Sequence, residues 1–203
     1  MTKIKLCGLS RICDIETTNR LKPEYIGFVF AENSRRRIAP EDACMLKERL
    51  SPGIRTVGVF VRESAETVAG LLESGTIDMA QLHGGEDEAY IRHLRRLTRK
   101  PLIRAFRVEM PADIAAAEQS SADHVLLDSG EGGTGAVFDW RLSGQMKRPY
   151  FLAGGLTPEN VGEAVRKFRP WAVDVSSGIE TDGWKDNDKM AAFVAAVRKE
   201  DGI

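Results

Sequence analysis

The sequence lacks the features that mark several classes of protein. Its three cysteines, Cys7, Cys13 and Cys44, are an odd number and form no Cys-x-x-Cys pair. A disulfide framework is therefore not expected, and a reducing compartment fits better. The first residues contain no apolar stretch of signal-peptide length, and no apolar run approaches the roughly 20 residues that span a bilayer. These absences predict a soluble cytoplasmic protein without a membrane partner.

An excess of charge of either sign is also missing. Lysine and arginine total 29, aspartate and glutamate total 30, and the net charge is −1. Because a nucleic-acid or membrane-surface partner favours a clear basic excess, neither partner is expected. The 203 residues are 42% hydrophobic, which is enough for one sizeable core. No linker divides the chain, so residues 1–203 are predicted to form one domain, and a monomer and a homodimer are both compatible with the sequence.

What is present is an alternation of short apolar runs with longer amphipathic segments. Strands alternating with helices indicate a parallel sheet, because each crossover needs a helix. Eight strand–helix units can close into a (β/α)8 TIM barrel of the α/β class. The alternative is an open doubly wound sheet, but no Gly-x-Gly-x-x-Gly fingerprint follows the first strand. The predicted strands are Ile4–Cys7, Tyr25–Phe30, Thr56–Val61, Asp78–His83, Leu102–Phe106, His124–Asp128, Phe151–Ala153 and Trp171–Val175.

Polar and small residues follow the predicted strands at the end where a barrel builds its active site. That site lies at the carboxyl ends of the strands and in the loops after them. If the strands are assigned correctly, these residues converge on one rim. They are Cys7, Phe30 with Arg35-Arg36-Arg37, Arg62, His83, Phe106 with Arg107, Asp128, Gly154-Gly155 and Ser176-Ser177-Gly178.

The loops after the seventh and eighth strands are rich in small residues. Gly154 and Gly155 precede a helix, and Ser176, Ser177 and Gly178 follow the last strand. Barrel enzymes often bind phosphate between these two loops through backbone N–H groups, and glycine lets the backbone approach the anion closely. The alternative is that these glycines only form tight turns. The two loops together favour a phosphate-bearing small molecule as the substrate.

Cys7 and Asp128 each end a strand. A free cysteine in such a place is commonly a small buried core residue, and its functional alternative is a thiolate general base with a lowered pKa. Asp128 is either a structural hydrogen-bond acceptor or a general acid whose pKa is raised by apolar surroundings. Asp174 lies one residue before the end of the eighth strand. This position is compatible with a catalytic role and with a structural role.

The cations and histidines have more ordinary alternatives. Arg35-Arg36-Arg37 is either a solvated basic loop or the source of one guanidinium for a substrate carboxylate. The three histidines show no metal-ligand spacing, and no metal site is predicted. His93 is expected on a helix surface and His124 at the amino end of the barrel. His83 lies at the carboxyl end of its strand, where the active site is expected, but no other histidine lies at that end.

The ordered motifs resemble those of the phosphoribosylanthranilate isomerases, a family of the tryptophan pathway. No single motif would suffice, but the set covers essentially the whole chain in order. Arg37 departs from the family, in which an aromatic residue is frequent there, and this leaves open which arginine meets the substrate. The motifs are Lys5-Leu6-Cys7-Gly8, Gly27-Phe28-Val29-Phe30 with Ser34-Arg35-Arg36, Val57-Gly58-Val59-Phe60-Val61, Gln81-Leu82-His83-Gly84, Leu127-Asp128-Ser129 with Gly132-Gly133-Thr134-Gly135, Leu152-Ala153-Gly154-Gly155-Leu156, Val173-Asp174-Val175-Ser176-Ser177-Gly178-Ile179-Glu180 and Lys185-Asp186.

The resemblance implies a single-domain barrel that carries out an Amadori rearrangement without a metal or organic cofactor. It implies Cys7 as the general base, Asp128 as the general acid and Arg36 as the contact of the anthranilate carboxylate. The implied substrate-binding residues also include His83, Asp174, Gly154, Gly155, Ser176, Ser177 and Gly178. Two alternatives remain at this point: a different phosphosugar barrel enzyme such as an epimerase, and a phosphosugar-binding protein without catalysis.

Overall fold

Each predicted apolar run forms a strand in the computed structural model, which describes residues 1–128 and 140–202. The strands are β1 (Lys3–Cys7), β2 (Tyr25–Val29), β3 (Arg55–Phe60), β4 (Met79–Leu82), β5 (Leu102–Arg107), β6 (His124–Asp128), β7 (Tyr150–Leu152) and β8 (Ala172–Val175). The α-helices are α1 (Ile12–Leu21), α2 (Pro40–Lys47), α3 (Ala65–Glu73), α4 (Glu88–Leu97), α5 (Pro111–Glu118), α6 (Val161–Phe168) and α7 (Asn187–Glu200). Two short strands, β9 (Glu180–Thr181) and β10 (Trp184–Lys185), pair antiparallel after β8.

The eight long strands close into a barrel. They are hydrogen-bonded in sequence order, every pair is parallel, and β8 returns to β1 with Lys5 opposite Asp174. The predicted (β/α)8 barrel is therefore confirmed, and the open doubly wound sheet is excluded because β1 and β8 are paired. The 3₁₀ helix Ser177–Ile179 follows β8 and leads into the β9–β10 hairpin.

The helices begin where local chemistry favours a start. Pro40 and Pro111 occupy the first turns of α2 and α5, where a missing N–H removes no intrahelical bond. Ser64, Asp87 and Asp186 accept hydrogen bonds from the first backbone N–H groups of α3, α4 and α7.

The sixth strand–helix unit differs from the others within the residues that the structure describes. Among the residues that the structure describes between β6 and β7, there is no α-helix but a 3₁₀ helix, Trp140–Gln145. Gly144 interrupts this segment, and Pro149 stands directly before β7. Both residues disfavour a regular α-helix, so the local sequence accounts for the difference.

Alternation along the strands decides which side chains enter the barrel. One buried cluster fills the interior and contains one residue from each of the seven strands β2 to β8, together with Ala153 directly after β7: Tyr25, Val57, Met79, Ile103, Leu126, Phe151, Ala153 and Ala172. The other strand positions pack against the helices, as Ile4, Leu6, Phe28 and Leu127 do. Successive side chains of a strand point to opposite faces. The side chains that point into the barrel therefore also include those of Lys5, Cys7, Gln81, Asp128 and Asp174.

Aromatic rings close the amino end of the barrel. His124 stacks on Trp171 with 4.7 Å between ring centroids, and Phe151 packs edge-on to Trp171 at 5.1 Å. The prediction that His124 lies at the end away from the active site is thus confirmed. His93 is exposed on α4, also as predicted. None of the described helices has the length and apolar content needed to cross a membrane.

Candidate active site

A cavity of about 1170 Å³ opens at the carboxyl ends of the strands. Its wall includes the stacked rings of Phe30 and Phe60, whose centroids are 5.2 Å apart. Three predicted site residues, Arg36, His83 and Asp128, line it. The cavity therefore combines an aromatic wall with cationic and acidic groups, a surface that suits a planar aromatic anion.

Cys7 lies beside a buried ion pair. The Nζ atom of Lys5 is 2.9 Å from Oδ1 of Asp174, and Lys5 is completely buried. Lys5 and Cys7 both enter the barrel from β1, and the positive charge of Lys5 favours the ionised form of the Cys7 thiol. The sequence position left the role of Asp174 open, and the structure shows that Asp174 holds this cation.

Burial governs the ionisation of these groups. Burial raises the pKa of the Cys7 thiol, Lys5 opposes that effect, and Asp174 adds to it. Burial by itself would lower the pKa of Lys5, but Asp174 and Cys7 together raise it above its usual value, so Lys5 remains an ammonium. A catalytic Cys7 is expected to have a lowered thiol pKa. The protein around it has the opposite effect, because the burial that raises the thiol pKa outweighs the influence of Lys5.

Asp128 is paired with His83, a contact that the sequence did not predict. The Nε2 atom of His83 is 3.1 Å from Oδ2 of Asp128 across the interior. On the other side of the ring, Nδ1 lies 2.7 Å from the amide nitrogen of Gln81. Side chains of β4, of the loop after it and of β6 therefore form one line of polar contacts that includes the candidate acid.

Arg36 is fixed by a buried carboxylate. Its Nε and Nη2 atoms donate to Oε1 and Oε2 of Glu180 at 2.6 and 2.8 Å. Arg35 donates to the same carboxylate at 2.7 Å, and the buried Lys185 donates to it at 2.6 Å. The Arg36 side chain is 11% exposed while that of Arg35 is 58% exposed. The structure therefore singles out Arg36 as the arginine of the run that is held at the site.

Lys185 connects this cluster to the loop after β8. Its Nζ donates to the carbonyl and hydroxyl oxygens of Ser176 at 2.9 and 3.3 Å. A Cβ atom on Gly8 would lie 2.7 Å from Cδ of Arg36 and 3.3 Å from Oγ of Ser176. Arg36, Ser176 and Lys185 therefore converge next to the end of β1, and only glycine at position 8 leaves room for them.

Replacing Glu180 with glutamine is expected to destabilise the protein most at neutral pH. Burial opposes ionisation of Glu180, but hydrogen bonds from Arg36 and Lys185 outweigh it and lower the pKa from 4.5 to about 2. A lowered native pKa gives stability that is present above pH 4.5 and lost as the pH falls towards 2. We expect Glu180→Gln to lose about 2–3 kcal/mol of unfolding free energy at pH 7.

Urea unfolding at pH 7, 4.5 and 3 would measure this loss. The difference between wild type and Glu180→Gln should change little between pH 7 and pH 4.5 and should be clearly smaller at pH 3. Glu163→Gln is the matched control, because Glu163 forms an exposed i,i+4 pair with Lys167, and such pairs contribute little. A difference that stays constant from pH 7 to pH 3 would show that the charge of Glu180 does not stabilise the fold.

The two small-residue loops are locked against each other. Gly154 and Gly155 have φ values of 82° and 67°, which L side chains rarely adopt. Asn160 closes the first loop by donating from Nδ2 to the Gly155 carbonyl at 2.9 Å. A Cβ atom on Gly178 would lie 1.9 Å from the carbonyl oxygen of Leu156. The positive φ values show why glycine is needed in the first loop, and phosphate binding by the two loops stays a prediction.

Four residues of this site lie in the sequence motifs but were given no role there: Lys5, Gln81, Glu180 and Lys185. Lys5 and Gln81 had a usable signal, because a polar residue at an interior position of an apolar parallel strand needs a partner inside the barrel. Ser129 and Gly132-Gly133-Thr134-Gly135 lie outside the described residues. Within residues 1–128 and 140–202, no three His, Cys, Asp or Glu side chains lie together in a way that could hold a metal ion.

The chain is similar to known proteins over nearly its whole length. A model of the N-(5'-phosphoribosyl)anthranilate isomerase family matches residues 4–196. The N-(5'-phosphoribosyl)anthranilate isomerase of Endomicrobium trichonymphae is 44% identical over 202 residues, which are 98% of this chain and 99% of that relative.

Two solved structures extend the similarity to the fold. Phosphoribosyl anthranilate isomerase from Thermus thermophilus has a TM-score of 0.89 at 36% identity, and the match covers 98% of this chain and 99% of that one. The complex of phosphoribosyl anthranilate isomerase with reduced 1-(o-carboxyphenylamino)-1-deoxyribulose 5-phosphate has a TM-score of 0.86 at 33% identity, covering 98% and 100%.

A closed parallel barrel that gathers a thiol, a carboxylate and an imidazole at its carboxyl end defines a (β/α)8-barrel enzyme. The identity to curated relatives, the family match and the shared fold agree. The chain belongs to the N-(5'-phosphoribosyl)anthranilate isomerase family. It is therefore an isomerase, and the resemblance drawn from the sequence motifs is confirmed.

Proposed function

We propose that Cys7 and Asp128 are the base and the acid by which this isomerase converts N-(5-phosphoribosyl)anthranilate to 1-(2-carboxyphenylamino)-1-deoxyribulose 5-phosphate. Family membership assigns the isomerisation, a step of tryptophan biosynthesis. The observation that carries the residue roles is their placement at the carboxyl ends of β1 and β6, on interior positions of one rim. A thiol and a carboxylate on separate strands can hold opposite protonation states.

The acid step opens the ribose ring. A protonated Asp128 gives its proton to the ring oxygen, the C1–O bond breaks, and the lone pair of the anthranilate nitrogen forms an iminium with C1. Asp128 becomes a carboxylate, and the N–H of His83 can then donate to it across the 3.1 Å contact. A hydrogen bond to the charged form favours that form, so His83 lowers the free energy of the ionised acid.

The base step moves the hydrogen from C2. The iminium draws electrons from the C2–H bond, Cys7 thiolate removes the proton, and the electron pair forms the C1=C2 double bond of an enolamine. Protonation at C1 and loss of the hydroxyl proton at C2 then give the ketone. Burial disfavours the thiolate, but the Lys5 ammonium beside it and the positive iminium both favour it. The thiolate form of Cys7 is therefore favoured at the step that needs it, when the iminium has formed.

Both ends of the substrate are negatively charged, and groups on the rim can bind each of them. Arg36 uses Nε and Nη2 for Glu180, and a guanidinium has five N–H donors, so donors remain for the anthranilate carboxylate. At the other end, Gly154, Gly155, Ser176, Ser177 and Gly178 offer backbone N–H groups to the phosphate. Asp174 acts through Lys5 in this proposal and does not contact substrate.

Gly178→Ala is expected to weaken substrate binding and the fold together. The added Cβ would meet the Leu156 carbonyl at 1.9 Å, so the loops after β7 and β8 must separate. We expect a loss of about 1–3 kcal/mol of stability, as in other overpacked sites. The KM should rise about tenfold, which is about 1.4 kcal/mol of binding.

Steady-state kinetics and urea unfolding would measure both effects. Gly70→Ala is the control, because Gly70 lies in α3, a Cβ atom added there would have nothing within 4 Å, and alanine favours a helix. That variant should keep the wild-type KM and gain about 0.5–1 kcal/mol. An unchanged KM in Gly178→Ala would remove these loops from the binding site.

The proposed conversion can be followed directly by proton NMR. The protein is incubated with N-(5-phosphoribosyl)anthranilate in the presence of a chelator, and the anomeric proton signal should disappear as the 1-amino-2-ketose grows. Binding without conversion would favour a phosphosugar-binding protein, and conversion only after metal is restored would favour metal-assisted chemistry. The absence of a cofactor, the cytoplasmic location and a homodimer stay predictions.

A further inference from the structure

The line of contacts behind the candidate acid contains a residue with no assigned role. Gln81 is 1% exposed inside the barrel, and its Nε2 atom lies 2.7 Å from Nδ1 of His83. In that orientation its Oε1 atom is buried and has no hydrogen-bond partner in the described part of the chain. A buried amide oxygen without a partner destabilises the fold, so its presence here calls for an explanation.

The direction of the Gln81 contact decides where His83 carries its proton. An amide nitrogen can only donate, so Nδ1 must accept and the ring proton must lie on Nε2. That N–H then points at Oδ2 of Asp128, 3.1 Å away. With the amide reversed, the proton would lie on Nδ1, and the Nε2 lone pair would face the carboxyl group instead.

We propose that Gln81 is a positioning residue that holds the proton of His83 on Nε2, facing Asp128. The inference rests on the proposed function, in which Asp128 gives a proton to the ring oxygen. As Asp128 loses that proton, a donor at Nε2 stabilises the new carboxylate, whereas a lone pair there would repel it. Gln81 thereby lowers the barrier of ring opening without contacting substrate, and the unpartnered Oε1 is the cost of that orientation.

NMR of the histidine nitrogens tests the proposal without any measurement of turnover. The chain has three histidines, so long-range ¹H–¹⁵N spectra are simple, and His83→Asn assigns the signal of His83. Wild type should carry the proton on Nε2. In Gln81→Glu the carboxylate can only accept, so Nδ1 should be protonated. His93 and His124 should be unchanged in the same spectra. A wild-type proton on Nδ1, or no change in Gln81→Glu, would overturn the proposal.

Gln81→Met provides a second variant in case the buried glutamate prevents folding. Methionine has a similar length and no donor, so it removes the constraint while keeping the interior filled. We expect kcat to fall about tenfold with KM within about twofold, and the Nε2 form of His83 to lose its dominance. A Gln81→Met protein with wild-type kcat and an unchanged His83 tautomer would refute the role.

The two proposals fail in different ways. If wild type does not convert the substrate, the proposed function is wrong, but the spectra still report whether Gln81 sets the tautomer. If wild type converts the substrate and both Gln81 variants keep the proton of His83 on Nε2, only the inference about Gln81 is wrong.

Discussion

Cys7→Ala is expected to lower kcat by about 10³-fold, within the range of about 10² to 10⁴ that general acid–base catalysis contributes. No other described thiol lies in the interior of the barrel, because Cys13 and Cys44 are exposed on α1 and α2. Lys5 cannot substitute, since its pKa is raised and it stays protonated. The reaction would then stop after ring opening, with no group placed to remove the C2 proton.

The fold should tolerate this change. Cys7 packs with Val29 and Val59, and removing one sulfur atom leaves a small cavity that costs about 1 kcal/mol. Cys7→Ser keeps the size and should be nearly as inactive, because a serine hydroxyl is a far weaker acid than a thiol and does not ionise there. Cys44→Ala is the matched control and should retain full activity. Turnover near the wild-type rate in Cys7→Ala would show that the thiol is only a core residue.

Asp128→Asn is the second change with a large expected effect, a fall in kcat of about 10²- to 10⁴-fold. Asparagine has nearly the same shape and can still accept a hydrogen bond from His83, but it has no proton to give to the ring oxygen. Because the substrate contacts at Arg36 and the small-residue loops are untouched, KM should change little. Single-turnover kinetics would separate the chemical step from binding.

A structural role for Asp128 predicts a different outcome. If the role is structural, Asp128→Asn would lower the free energy of unfolding, and the protein that remains folded would keep the wild-type kcat. Asp42→Asn, at an exposed position of α2, is the control and should match wild type in both measurements. Urea unfolding of all three proteins, alongside kcat, therefore decides between a general acid and a buried hydrogen-bond acceptor.

The element order follows from local sequence, and most of it could be predicted. The eight apolar runs form the eight strands, and β6 has the predicted bounds His124–Asp128. Among the described residues after β6, Gly144 and Pro149 disfavour a regular α-helix, and a 3₁₀ helix lies there. Candidate site residues could also be found, because a barrel places strand ends on one rim whatever their separation in sequence.

The charge pairs within the rim could not be predicted. Glu180 is far from Arg36 in the sequence, and only the closed barrel and the β9–β10 hairpin bring its carboxylate to three cations. The pairing of Lys5 with Asp174 requires β8 to return to β1 in one particular register. Likewise, the raised pKa of Cys7 comes from burial by the whole barrel, which no spacing along the chain reports.

The sequence by itself therefore determined the fold class, the family and the identity of the candidate acid and base, because periodicity and ordered motifs are local properties of the chain. Only the tertiary structure decided which arginine is held at the site, which partner His83 takes and how burial moves the ionisation of Cys7. These depend on distances of about 3 Å between residues on different strands and loops, and electrostatic and hydrogen-bond energies are set by such distances and by exclusion of water.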